Sequence, residues 1–182
     1  MDPSSLPELL AARVRGRAPA CGGTRVIAID GRSGSGKTAL ALDLADQIGA
    51  PILHLDRLYP GWHGLARTPA IVRALLADLA IGEKGRARQW DWASDAPGRW
   101  LTVRPTNDLI IEGVGAGATA LRPFLSHLVW LEAPEEERRR RALARDGDTY
   151  APWWDVWAAQ EEQYIATDHT PEAADLIVST GS

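Results

Sequence analysis

The sequence predicts an α/β domain in which a mainly parallel sheet lies between two layers of helices. Two observations carry this. Short apolar runs at 26–29, 51–55, 109–111, 127–131 and 175–178 alternate with longer stretches of helical periodicity, the pattern of strands joined by crossover helices. The first run leads straight into a glycine-rich loop and then a helix-like stretch, a strand–loop–helix unit.

Each element has its own reason. Residues 4–16 put Leu6, Leu9, Leu10 and Val14 on one helical face, with Pro7 suited to the first turn. This reads as a packing helix. Strand one spans 25–30, and helix one spans 37–48 with Gly49 as its stop. Residues 51–55 form strand two, which ends at Asp56-Arg57-Leu58-Tyr59 and a turn-rich 60–64. Residues 69–81 are helical, with Ile71, Leu75, Leu76 and Leu79 apolar. In the irregular 85–105, residues 86–92 and 99–103 pair as a hairpin around a turn at 95–98. A central strand covers 108–113, a short helix 118–125 and another strand 127–131.

Residues 134–145 form a helix with Pro134 at its start. Glu135, Glu136 and Glu137 sit where the helix dipole favours acids, and they pair with the following arginines at i,i+4. Asp146-Gly147-Asp148 breaks it. A Trp-rich helix at 152–167 and a strand at 175–178 close the chain. With no repeat, low-complexity tract or linker, residues 1–182 read as one domain.

The glycine-rich loop, Gly31-Arg32-Ser33-Gly34-Ser35-Gly36-Lys37-Thr38, fits G-x-x-x-x-G-K-[ST], the phosphate-binding P-loop. Glycines let the backbone wrap a polyphosphate and aim N–H groups inward. The start of the next helix adds partial positive charge. In this pattern Gly31, Ser33, Gly34, Ser35, Gly36, Lys37 and Thr38 bind nucleotide; Lys37 reaches the β- and γ-phosphates and the Thr38 hydroxyl takes one site on Mg²⁺.

Bulk composition narrows the classes. At 45% hydrophobic and 24% charged, the 182-residue chain is globular. A net charge of −4 argues against broad attraction to nucleic acid. Cys21 is the single cysteine, which excludes an internal disulfide or Cys-cluster metal site. No signal peptide and no membrane-length apolar run are read, so a cytoplasmic protein is expected.

Phosphoryl transfer needs a phosphate cradle, Mg²⁺, a group that activates the acceptor, and positive charge on the transferring phosphoryl. Asp56, at a strand end, is the expected base, because ligands gather at the carboxyl ends of strands. Glu112 ends an apolar strand and is expected to hold Mg²⁺ through water, with Asp30 as an alternative. Gly113, Gly115 and Gly117 suggest a tight turn beside it. In the basic run Arg138–Arg141 plus Arg145, most members read as a solvated face. Arg141 and Arg145 share one face and are the expected phosphate clamp. Asp91, Asp95 and Arg99, with Trp90 and Trp92 as stacking surfaces, are candidates to shape an acceptor pocket; an ordinary amphipathic hairpin explains them equally well. His54, His63, His127 and His169 lack metal-ligand spacing and read as structural.

In order and spacing, Asp30 to Thr38, Asp56-Arg57-Leu58-Tyr59, Trp90-Asp91-Trp92, Ile111-Glu112-Gly113 and Arg141 to Asp146 resemble the P-loop kinases of the uridine kinase type, in the nucleoside and nucleotide kinase group. The resemblance implies a P-loop NTPase three-layer α/β/α sandwich with a small lid at about 138–155, using ATP and Mg²⁺. It implies Asp56 as catalytic base, Tyr59 as an acceptor-site neighbour, Trp90 and Asp91 as a nucleoside-holding pair, Glu112 as a Mg²⁺-linked carboxylate, and Arg141 and Arg145 as lid arginines. The chain departs from that pattern at Asp95, where those kinases carry a nucleobase-contacting His, and at Trp153, Trp154 and Trp157 in the lid region.

The expected function is therefore transfer of the γ-phosphoryl of ATP to a hydroxyl of a small molecule. A nucleoside comes first; a sugar, sugar acid or other metabolite comes next. A regulatory GTPase would need N-K-x-D, and no Asn-Lys pair occurs. An ATPase module working with a protein partner is the alternative from another class.

Overall fold

Strand β1 (Arg25–Gly31) is buried along nearly its whole length, which is why it reads as an unbroken apolar run. In the computed structural model, which describes residues 6–181, β1 lies between β5 (Asp108–Glu112) and β6 (His127–Glu132), parallel to both. The strands β2 (Ile52–His54) and β7 (Leu176–Ser179) complete a parallel sheet in the order β2-β5-β1-β6-β7. Alternate side chains point to opposite faces. Val26, Ala28, Leu109, Ile111, Leu128 and Trp130 enter one core. Ile27, Ile29, Ile110, Val129 and Leu131 enter the other. Each Val, Leu or Ile among them stabilises the fold by about 1.5–3 kcal/mol when fully buried.

The second core is covered by α1 (Leu6–Arg15) and α2 (Lys37–Ile48). The expected start of α1 at residues 4 and 5 lies outside the described residues. Helix α2 buries Leu40, Ala41 and Leu44, and stops where Gly49 takes φ 67° and its N–H returns to the Ala45 carbonyl. The first core is covered by α3 (Thr68–Ala80) and α5 (Trp154–Asp168). Between β6 and α5 runs α4 (Glu135–Asp146), followed by two short 3-10 turns. The result is the three-layer α/β/α sandwich expected from the alternation of elements. No described helix is long and apolar enough to cross a membrane.

Two expectations are corrected and one element is added. Residues 118–125 do not form a helix; they are successive turns with one 3-10 turn at Arg122–Phe124. Pro123 removes a donor there, and the Thr119 N–H goes to the Asp168 carboxylate at 2.6 Å. The hairpin pairs β3 (Gly85–Asp91) with β4 (Ala96–Val103), so its turn comes before Pro97. The Asp91 carboxylate closes that turn by accepting the Ala93 N–H at 3.1 Å and the Ser94 hydroxyl at 2.8 Å. After α5, His169 at φ 50° starts a further short helix, α6 (Thr170–Ala173), which the periodicity did not reveal.

Candidate active site

The loop after β1 lies at the carboxyl edge of the sheet, where β5 and β6 flank β1 on either side. Open α/β sheets leave a crevice at such a point. Gly34 and Gly36 take φ of 78° and 95°, values that an L side chain rarely adopts. A Cβ on Gly34 would also strike the Arg138 carbonyl. The Lys37 ammonium donates to the Arg32 carbonyl at 2.9 Å. Burial pulls its pKa below the ordinary lysine value, while Glu161, Glu112 and Asp30 oppose that pull. The Ser35 hydroxyl is buried and has no partner among the described residues.

The Thr38 hydroxyl lies 3.3 Å from Glu112 Oε1 and 3.4 Å from Oε2. Glu112 is 4% exposed. His54 Nδ1 lies 2.6 Å from Glu112 Oε1, because His54 and Glu112 are register partners on adjacent strands. Two hard oxygen donors that meet at the P-loop suit Mg²⁺. The positive-φ loop and its lysine suit a polyphosphate. These residues therefore fit both expected ligands.

Asp56 sits in a 3-10 turn directly after β2. Its residue is open to solvent, yet its carboxyl pKa is raised, first because the surrounding walls strip solvent from it and then because Glu112 repels it. His54, Arg145 and Arg57 work in the opposite sense. Trp92 Nε1 donates to the Asp56 carbonyl at 2.9 Å, so the hairpin tip closes onto this turn. Arg145 pairs with Asp146 at 2.6 Å; its guanidinium pKa is raised first by that hydrogen bond, and Asp56 adds to the effect.

The other expected residues are engaged by protein groups. Arg141 is turned to the Thr180 carbonyl at 2.8 Å and to Glu137, tying α4 to the chain after β7. Asp91 belongs to its own turn. Asp95 accepts from Trp90 Nε1 at 3.2 Å, and this pair lies over Gly61 in the loop after β2. Tyr59 is buried and donates to the Val114 carbonyl at 2.9 Å; burial holds its hydroxyl far above the usual phenol range. Asp30, the alternative for Mg²⁺, is fully buried. It accepts from the N–H groups of Gly31, Gly115 and Gly117 at 2.7–3.1 Å and from the Tyr164 hydroxyl at 2.7 Å. Asp30 thus shapes the glycine turn, with its carboxylate engaged by four protein donors.

Two features escaped the sequence reading. Trp62 stacks on Tyr150 and on Trp153, with centroids at 5.3 and 5.6 Å, and touches Trp92 at 4.8 Å. An aromatic wall therefore joins the Asp56 loop, the hairpin and the segment between α4 and α5. Glu161, buried on α5, accepts the Ser33 N–H at 2.7 Å. Its signal was available: an acid stands in the buried stripe Trp154, Trp157, Glu161 and Tyr164, where helical spacing calls for apolar residues. A cleft of about 490 Å³ lined by Arg32, Pro134, Arg138 and Ser179, among others, opens beside the loop without including Asp56.

Comparison with known proteins bears on the fold. No family model matches the chain. A cytidylate kinase of Pyrobaculum aerophilum is 28% identical over 133 residues, which cover 67% of this chain and 61% of that enzyme, so the match spans less than two thirds of its length. A provisionally named uridine kinase of Bacillus stearothermophilus superposes with TM-score 0.67 at 20% identity, covering 97% of this chain and 99% of the other. A provisionally named fructose transport system kinase of Silicibacter sp. TM1040 gives TM-score 0.59 at 22% identity, covering 98% and 99%. The chain has the P-loop NTPase fold in the form these kinases display, and it resembles the uridine kinase type.

Proposed function

We propose that this protein is a small-molecule kinase that moves the γ-phosphoryl of ATP to a hydroxyl acceptor, a nucleoside first. The convergence of Lys37, Thr38, Glu112, Asp56 and Arg145 at the mouth of the P-loop carries this reading. It supplies one candidate for each part that phosphoryl transfer requires.

The loop amides and Lys37 would hold the phosphates. Thr38 would bind Mg²⁺ directly and Glu112 through water; Mg²⁺, when bound, neutralises charge on the phosphate oxygens. Asp56 would accept the proton of the acceptor hydroxyl as that oxygen bonds to phosphorus and ADP leaves. Its raised pKa moves it toward the operating pH, which suits a general base. Arg145 would place positive charge near the transfer. The aromatic wall of Trp62 and Trp92 beside Asp56 suits a planar acceptor. The expected partners remain small molecules, and the expected setting the cytoplasm.

One observation favours a second acceptor class. Asp91, expected to hold a nucleoside, is engaged by its own turn. A sugar, sugar acid or similar metabolite would not need that contact.

The test is ADP release with Mg-ATP against a panel of nucleosides, nucleoside monophosphates, sugars and sugar acids, with Lys37→Ala as control. Stimulation by a nucleoside, lost in the control, is the expected result. Stimulation by another acceptor class would retain the mechanism and replace the acceptor. Stimulation by a protein and by no small molecule would favour the partner-coupled ATPase.

A further inference from the structure

Glu161 is an acidic residue at the P-loop for which the proposed chemistry has no use. It is 1% exposed. Its Oε1 accepts the Ser33 N–H at 2.7 Å, and its Oε2 lies 4.0 Å from Arg138 Nη1. That same Arg138 nitrogen donates to the Ser33 carbonyl at 3.3 Å. The backbone of Ser33 is therefore held on both sides, its N–H by an acid of α5 and its C=O by an arginine of α4. Of the acids that favour the charged form of Lys37, Glu161 acts most strongly.

A carboxylate uses the donors that a phosphate uses, namely backbone N–H groups of a glycine-rich loop and a nearby ammonium. The P-loop lysine reaches the β/γ end of a bound polyphosphate. An acid that faces this lysine and one loop amide therefore stands on the terminal-phosphate side of the cradle. Two anions crowded around one donor in a partly dehydrated site repel strongly.

We propose that Glu161 is a built-in anion at the terminal-phosphate end of the loop, and that it sets selectivity between nucleoside diphosphate and triphosphate. A diphosphate enters with the Ser33–Glu161 bond intact, whereas a triphosphate displaces the carboxylate. This rests on reading the loop as the ATP site. Helix α5 carries the displacement further. Four residues before Glu161, the Trp157 ring meets Tyr59 at 4.8 Å and Trp62 at 6.4 Å, on the loop that follows Asp56. Three residues after it, Tyr164 donates to Asp30. Entry of a triphosphate is thereby linked to the acceptor side of the site.

The test uses the full chain with Mg²⁺, titrated by calorimetry with ADP and with the non-hydrolysable β,γ-imido analogue of ATP. Glu161→Gln keeps the size and an acceptor oxygen for Ser33 but removes the charge. It is expected to raise the preference for the triphosphate over ADP by about tenfold, with the ADP affinity itself changing by less than about threefold. In the parent protein, the triphosphate and not ADP is expected to shift tryptophan emission. An equal change for both nucleotides, or weaker triphosphate binding in the variant, would overturn the proposal and make Glu161 a structural support. If Glu161→Gln does not fold, Glu161→Asp withdraws the carboxylate from the Ser33 N–H and is expected to shift the ratio in the same direction. Binding of both nucleotides with an unchanged ratio sinks this inference alone. Binding of neither by the parent protein sinks the ATP reading with it.

Discussion

His54 and Glu112 stand opposite each other on β2 and β5, with Nδ1 of one 2.6 Å from Oε1 of the other. The imidazole fixes one oxygen of a carboxylate that also meets the Thr38 hydroxyl. Partners that orient a metal-linked carboxylate tune metal affinity. His54→Ala is expected to raise the Mg²⁺ concentration needed for half-maximal turnover by about tenfold or more. A Mg²⁺ titration at saturating nucleotide checks this, and an unchanged requirement would leave His54 a structural residue.

Asp56→Asn is expected to lower turnover by about 10²–10⁴-fold with nucleotide affinity largely retained. The pH profile gives a second check. A raised pKa means that Asp56 takes up its proton at a higher pH than an ordinary carboxyl does. Turnover is then expected to fall on the acidic side through that raised value, and the limb is expected to vanish in the variant. Stability follows the opposite sense. The fold disfavours the ionised form, so the penalty is absent below the unfolded value of about 3.9, grows as pH rises through the folded value, and is complete above it. Asp56→Asn is thus expected to resist urea slightly better than the parent near pH 7 and equally near pH 3.

Arg145 and Arg141 divide their work. Arg145 pairs with Asp146 and its charge favours the ionised form of Asp56, whereas Arg141 ties α4 to Thr180. Arg145→Ala is expected to lose about 10²-fold in turnover. Arg141→Ala is expected to show the smaller loss of turnover and the larger loss of stability, up to about 1–3 kcal/mol for its charged hydrogen bonds. Steady-state kinetics beside urea unfolding separates the two.

Asp30→Ala would leave the donors of Gly31, Gly115, Gly117 and Tyr164 without their acceptor. A loss of about 3–5 kcal/mol is expected by urea denaturation. Tyr164→Phe removes one of those bonds and is expected to cost about 1.5–3 kcal/mol. A smaller loss for Asp30→Ala than for Tyr164→Phe would contradict this account.

The parallel sheet and most helix bounds were legible, because burial on both faces leaves unbroken apolar runs in β1, β5 and β6 and a periodic stripe in α2. The segment 118–125 was not, since its local pattern is overridden by the distant Asp168. For the site, the glycine loop and Thr38 are contiguous in sequence and so could be read as one unit. The direction of a side chain could not be read. Asp91 is turned by local bonds to Ala93 and Ser94 that compete with a ligand role, whereas Arg141 is drawn to Thr180, 39 positions away. Glu161 was legible as an acid in an apolar stripe, but its partner Ser33, 128 positions away, was not.

The phosphate loop also has a consequence for the order of events during synthesis. It occupies residues 31–38, yet Glu161 holds Ser33, Tyr164 holds Asp30, and Thr180 donates to the Ser35 carbonyl at 2.7 Å across 145 positions. A nascent chain that has made the motif has not made the pocket. Closing such long loops is slow relative to local structure. If the loop takes nucleotide as proposed, binding is expected only after α5 and the segment around Thr180 have been made and docked on it.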